Sequence, residues 1–212
     1  MLKPLVLAVA LGFAAVSAGF AGEIVVPAAQ ATTPGDGGSS YPFDGDSFTR
    51  LHQVHRWRAF GPSSRLITGI AFRTTVHQDP IVYQCHVTIT LSTTWRGPSS
   101  LSRVFDRNFG ADATVVFSGT VVLDHPEVTP PLPPFEMLIP LDTPFRYKPG
   151  PFRNLLMEVR SRCLGDGEDD PGIDQVANGP LGSVAAIGSF PDELVQGFRY
   201  QGGVVTQFTT TP

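Results

Sequence analysis

The chain has 212 residues, with 22 glycines, 20 prolines, only 16 % charged residues and a formal net charge of −4. That is long enough for one domain with a substantial core. Few charges and many turn-formers suit a β-sandwich or barrel better than a helical protein. The mild acidity argues against nucleic acid as a partner, because phosphate recognition needs a basic surface.

The chain opens like a secretory signal peptide. Lys3 supplies the charged start, Leu5 to Val16 is an uncharged apolar run, and small residues follow. Cleavage is expected after Ala21, with Ala18 as the alternative. A transmembrane anchor fits less well, because the run is shorter than the roughly 20 residues of a span and no basic flank follows. No later stretch reads as a membrane span. Residues 22–47 are then expected to be a flexible linker, since Ala28 to Ser40 is small, polar and rich in Gly. The folded domain is expected to cover residues 48–212.

Within it, Leu51 to Trp57 reads as a first strand. Arg65 to Arg73 is apolar on both faces, so it belongs inside a sheet, and its Gly69 can mark a bulge. Ile81 to Leu91 alternates strictly, with Tyr83, Cys85, Val87, Ile89 and Leu91 on one face and Gln84, His86, Thr88 and Thr90 on the other. It is the clearest strand in the chain. Thr114 to Leu123 is another. Phe135 to Leu141 turns inward at Phe135, Met137, Ile139 and Leu141, and its Pro140 suggests an edge or a bulge. Asp142 to Pro144 reads as a turn. Asn154 to Cys163 alternates again and puts Leu155, Met157, Val159 and Cys163 together. Weaker strands cover Ala185 to Phe190, Phe198 to Tyr200 and Val204 to Thr209. The sum is an all-β, antiparallel, jelly-roll-like sandwich of about nine strands. Strand order is not legible.

Cys85 and Cys163 are the only cysteines, and both fall on the apolar side of a strand. In an exported chain they are expected to pair, with two buried free thiols as the alternative. The bridge would close a loop of about 78 residues and contribute roughly 4 kcal/mol by the loop-entropy model.

The metal candidate is the acidic stretch with Asp166, Glu168, Asp169, Asp170 and Asp174. Calcium takes about six to eight hard oxygen ligands, and a Gly-flexed loop can wrap it. EF-hand spacing is absent, so plain solvated surface stands against this reading. His52 and His55 are three apart, which in a strand puts the rings on opposite faces. With His77, His86 and His125 they read as surface or rim histidines rather than a zinc site. For catalysis there is no Gly-x-Ser-x-Gly elbow, and paired cysteines leave no thiol nucleophile. Glu158 points outward, while Asp124, Glu127, Glu136 and Asp142 are scattered, so nothing selects a carboxylate pair. Among Trp57, Trp95, Tyr41, Tyr83, Tyr147 and Tyr200, most are expected in the core. Trp95, just past a strand end, is the best exposed platform for a sugar ring.

Several short segments occur in a fixed order. These are Gln53-Val54, Ile67 to Arg73, Thr88 to Thr94, Asn108 to Asp112, Pro144 to Tyr147, Asn154 to Arg160 and Val205 to Phe208. Over residues 48–209 they resemble a group of secreted bacterial proteins of unknown function, many of which carry a PEP-CTERM sorting tail. The resemblance implies a sandwich domain in an exopolysaccharide-producing cell envelope. It carries no activity to any residue. After Phe208 only Thr-Thr-Thr-Pro follows, without the sorting motif, so release or non-covalent retention is expected. The reading is therefore an exported, non-catalytic β-sandwich of the envelope or extracellular matrix, with an envelope polysaccharide or another surface protein as partner. The alternatives are a carbohydrate-binding module, with or without calcium, and an extracellular hydrolase.

Overall fold

The computed structural model describes residues 21–45, 47–75, 81–125, 132, 134–164, 172–177, 179, 181–188 and 190–212. Thirteen strands follow in order: β1 (Gly22–Val26), β2 (Gly37–Ser39), β3 (Phe48–His55), β4 (Arg65–Phe72), β5 (Ile81–Thr94), β6 (Thr114–His125), β7 (Met137–Tyr147), β8 (Asn154–Leu164), β9 (Ile173–Val176), β10 (Gly182–Gly188), β11 (Phe198–Tyr200), β12 (Gly203–Val204) and β13 (Thr206–Thr211). Three antiparallel sheets result, ordered β1-β13-β4-β7, β11-β10-β3-β8-β5-β6 and β12-β9-β2.

The pairs β1–β13, β3–β8, β4–β7 and β5–β6 nest inside one another, as in a single long hairpin. The pairs β13–β4 and β8–β5 then close that hairpin on itself. This is the jelly-roll wiring, with eight strands divided between two facing sheets. β10 and β11 extend the second sheet beyond β3. The sandwich class holds, and the extra strands raise the count above the nine expected.

Alternation puts Leu51, Cys85, Val87, Ile89, Leu91, Leu155, Met157 and Val159 between the sheets, against Ile67, Ile70, Phe72, Ile139, Tyr147 and Phe208. Cys85 faces Cys163 across the β5–β8 ladder, and the two form the expected disulfide. A second apolar cluster lies on the opposite face of the larger sheet. There Leu101, Phe105 and Leu194 cover Val54, Leu156 and Val184.

Two expectations are corrected. Residues 22–47 are not a free spacer: β1 pairs with β13 and β2 with β9. The ordering groups come from far along the chain. Asp174 accepts from the Gly35 amide at 2.8 Å and from Arg73 Nε at 2.7 Å, and Arg73 Nη2 donates to the Thr33 carbonyl. A Cβ on Gly35 would collide with the Gln175 backbone, so the segment docks there only because that residue is glycine. Likewise Asp142 to Pro144 is not a turn, because β7 runs through Pro140 and Pro144 without a break. β7 ends its sheet, where a missing N–H faces no partner strand. The bulge suspected at Gly69 is present, as a register shift between Ile67 and Gly69.

Candidate ligand-binding site

At one end of the sandwich three loops converge on Asn154, the first residue of β8. Its Oδ1 accepts the Trp57 backbone N–H at 3.0 Å, and its Nδ2 donates to the Arg96 carbonyl at 2.9 Å. One buried amide thus ties the loop after β3 to the loop after β5. Trp57 opens a single 3-10 turn whose last residue, Phe60, packs edge-on to Tyr147 and Phe208 in the core. Trp95 follows directly on Thr94, which faces Asn154 across the ladder.

The third loop joins β7 to β8. Arg153 N–H bonds back to the Gly150 carbonyl at 2.9 Å, and the Tyr147 hydroxyl donates to the Arg153 carbonyl at 2.6 Å. Pro151 and Phe152 occupy the centre of this turn. Phe152 has φ 60°, where glycine is the favoured residue, and it is the one non-glycine residue with positive φ among those described. It is also 80 % exposed. Trp95 is 67 % exposed. A groove of about 340 Å³ runs between Trp57, Phe152, Pro98 and Asn154, with Arg56 and Arg58 also in its wall. The Arg58 guanidinium lies 5.4 Å from the Trp57 ring centre, and that of Arg96 lies 4.7 Å from Trp95. Among the described residues no carboxylate pairs with Arg56, Arg58 or Arg96.

The other chemically capable residues lie elsewhere. On the outer face of the larger sheet, Glu158 Oε1 accepts from Arg50 Nε (2.7 Å) and His52 Nε2 (2.9 Å), with Arg160 Nε at 3.2 Å. Arg50 also reaches Asp106 at 3.0 Å and the Leu194 carbonyl at 2.9 Å. Phe105 and Phe109 close over His52. Burial alone would raise the Glu158 carboxyl, but its hydrogen bond to His52 and the arginine charges outweigh that and hold it at about 2. Burial keeps His52 itself neutral, so its Nε2–H donates to the carboxylate while its Nδ1 faces the Asn108 amide. A glycosidase acid needs a raised pKa and room for a sugar. This carboxyl has neither: it is 3 % exposed and clamped. The cluster fastens the Phe105 loop to the sheet.

His52 and His55 do sit on opposite faces of β3, but both are fully buried, which corrects the expectation of surface histidines. His55 packs on Phe208, and burial lowers its pKa to about 3. His86 is exposed beside Arg162 and Thr120. His77 and the side chain of His125 lie outside the described residues.

Of the calcium candidates, Asp166, Glu168, Asp169 and Asp170 lie outside the described residues. Asp174 is buried, and both its oxygens are taken by Arg73 and Gly35. Among the described residues no group of three or more His, Cys, Asp or Glu side chains could hold a metal. Nor is any helix among them long and apolar enough to cross a membrane.

Tyr41 and Tyr200 flank a smaller cavity of about 150 Å³, their rings 6.3 Å apart. Tyr147 is core, and the side chain of Tyr83 lies outside the described residues.

Sequence reasoning singled out Trp95 and missed Phe152, Arg56 and Arg58. The signal was there in Arg56-Trp57-Arg58, Trp95-Arg96 and Pro151-Phe152-Arg153, each an aromatic beside arginine at a strand end.

Fold and site together define a jelly-roll domain with an aromatic and arginine-bearing rim. Comparison with protein-family models, with curated proteins and with solved structures finds no match.

Proposed function

We propose that the protein is an exported, non-catalytic jelly-roll domain of the cell envelope or extracellular matrix that binds polysaccharide through the rim formed by Trp57, Trp95 and Phe152. The observation that carries this is Phe152. An aromatic ring left in water contributes nothing to folding, and positive φ costs a non-glycine residue about 1 kcal/mol or more. Strain of this kind clusters at ligand-contact sites. Exposed aromatic rings stack on the C–H faces of sugars, burying apolar area on both partners. Export is read from the leader-like start of the chain, and the disulfide is consistent with an oxidising compartment. The segments resembling secreted proteins of the PEP-CTERM-associated type fit the same setting.

A glycan array that includes the producing cell's own envelope polysaccharide tests the reading. Wild type is expected to bind, and Phe152→Ala and Trp95→Ala to lose most of the signal while keeping the native circular dichroism. Among the described residues no carboxylate lines the groove, so a chelator should leave binding unchanged. Absence of binding to every polysaccharide, or equal binding by the variants, overturns the proposal.

A further inference from the structure

Resting on the rim as the binding site, we infer that its ligand is an acidic polysaccharide whose repeating unit carries a carboxylate, a polyuronate being the simplest case. The groove wall holds Arg56 and Arg58, and Arg96 stands over Trp95 at the same end. A guanidinium only donates hydrogen bonds. A neutral sugar offers hydroxyls, which need acceptors as well as donors, and sites for them use Asp, Glu, Asn or Gln. Here, among the described lining residues, the one amide, Asn154, is buried and already holds the Trp57 amide with its oxygen and the Arg96 carbonyl with its nitrogen. Among the described lining residues the charged side chains are both guanidiniums and none is a carboxylate, so an acceptor-rich anionic ligand complements the wall best.

A carboxylate matches the guanidinium fork with two parallel hydrogen bonds. The stacking of Arg58 on Trp57 and Arg96 on Trp95 sets each cation beside an aromatic ring. A uronate has both complementary parts within one sugar ring, an apolar C–H face and a carboxylate at its edge. Arg96 gives its Nε and one Nη1 hydrogen to the Arg107 and Ser100 carbonyls, at 2.9 and 2.8 Å, so the two-bond match to a carboxylate falls to Arg56 and Arg58. None of the arginines is neutralised internally by a described carboxylate, although the whole chain is net negative at −4. The groove wall therefore presents the unpaired charge of Arg56 and Arg58, suited to an anionic chain lying across it.

The test titrates the intact disulfide-bonded protein with a panel of polyuronates (alginate, polygalacturonate and hyaluronate) and with each polymer after reduction of its carboxyls to primary alcohols. An oligothymidylate of similar length serves as the rival polyanion. Binding to at least one polyuronate is expected. It should weaken about tenfold or more on carboxyl reduction, fall with salt, and fall again by a similar factor in Arg56→Gln/Arg58→Gln. Both arginines are exposed, so this variant keeps its fold. Equal affinity for a polymer and its reduced form would overturn the acidic-ligand inference and leave the aromatic rim standing. Binding of no polymer, or binding unaffected by Phe152→Ala, would overturn the rim itself. Tighter binding to the oligothymidylate would replace polysaccharide with single-stranded nucleic acid.

Discussion

Phe152 and His55 mark two kinds of unusual residue, one held strained in water and the other held dry in the core. Phe152 occupies a glycine position in a Pro-led turn, and that choice is legible in the sequence only as Lys-Pro-Gly-Pro-Phe-Arg, a breaker string (Lys148 to Arg153). Its φ of 60° appears only once the turn closes between Gly150 and Arg153. His55 is fully buried and stays neutral, its pKa lowered from 6.5 to about 3. The unfolded chain takes up a proton below pH 6.5 and the folded chain does not. His55 therefore favours folding fully above pH 6.5, and its contribution is lost as the pH falls from there toward 3. The slope is about 1.4 kcal/mol per pH unit. Glu158, lowered from 4.5 to about 2, adds a loss of the same sign only below pH 4.5. Urea unfolding at pH 7.5 and pH 5 should thus show about 2 kcal/mol lost to His55, with a further loss of the same sign from His52, which burial also keeps neutral. His55→Gln should be less stable at pH 7.5 but show a shallower pH dependence, and an unchanged slope would contradict the assignment.

At the scale of elements, the alternating strands were legible because each has one dry face. β5 and β8 announce themselves by Cys85-Val87-Ile89-Leu91 and Leu155-Met157-Val159-Cys163, and their shared cysteine face led directly to the disulfide. β1 is absorbed into the linker despite its β-branched run Ile24-Val25-Val26, and β2 is not legible at all. The stretch from Ala28 to Ser40 contains too few apolar residues to report burial, and its order comes from Arg73 and Asp174, which a local window does not see. β7 reads as two pieces because Asp142-Thr143-Pro144 looks like a turn, although an edge strand tolerates Pro144 as it does Pro140. β1 starts at the residue after Ala21, so cleavage there leaves the strand whole. Deleting residues 22–26 should uncover β13 and remove the buried Val26. A loss of at least about 2 kcal/mol is expected by urea denaturation. If the truncated chain is as stable as the full one, the segment is a spacer after all.

For the whole molecule, a nested hairpin rolled into two sheets brings the ends of β3, β5 and β8 together, and so collects Trp57, Trp95 and Phe152 on one rim. The sequence pattern indicated the sandwich class, because alternation and frequent turns are local properties. It hid the rim, because that depends on which loops the topology makes neighbours. The same logic separates the rim from the Arg50–Glu158–His52 cluster. Those residues are the more reactive types, yet they are sealed under Phe105 and Phe109 and serve the fold. The rim residues Trp95 and Phe152, by contrast, stand in water and serve the fold poorly. One variant tests this distinction directly: Phe152→Gly, measured for both urea stability and polysaccharide binding. The variant is expected to be more stable by about 1 kcal/mol and to have lost most of its affinity. A variant less stable than wild type, or one that binds as well as wild type, would contradict it.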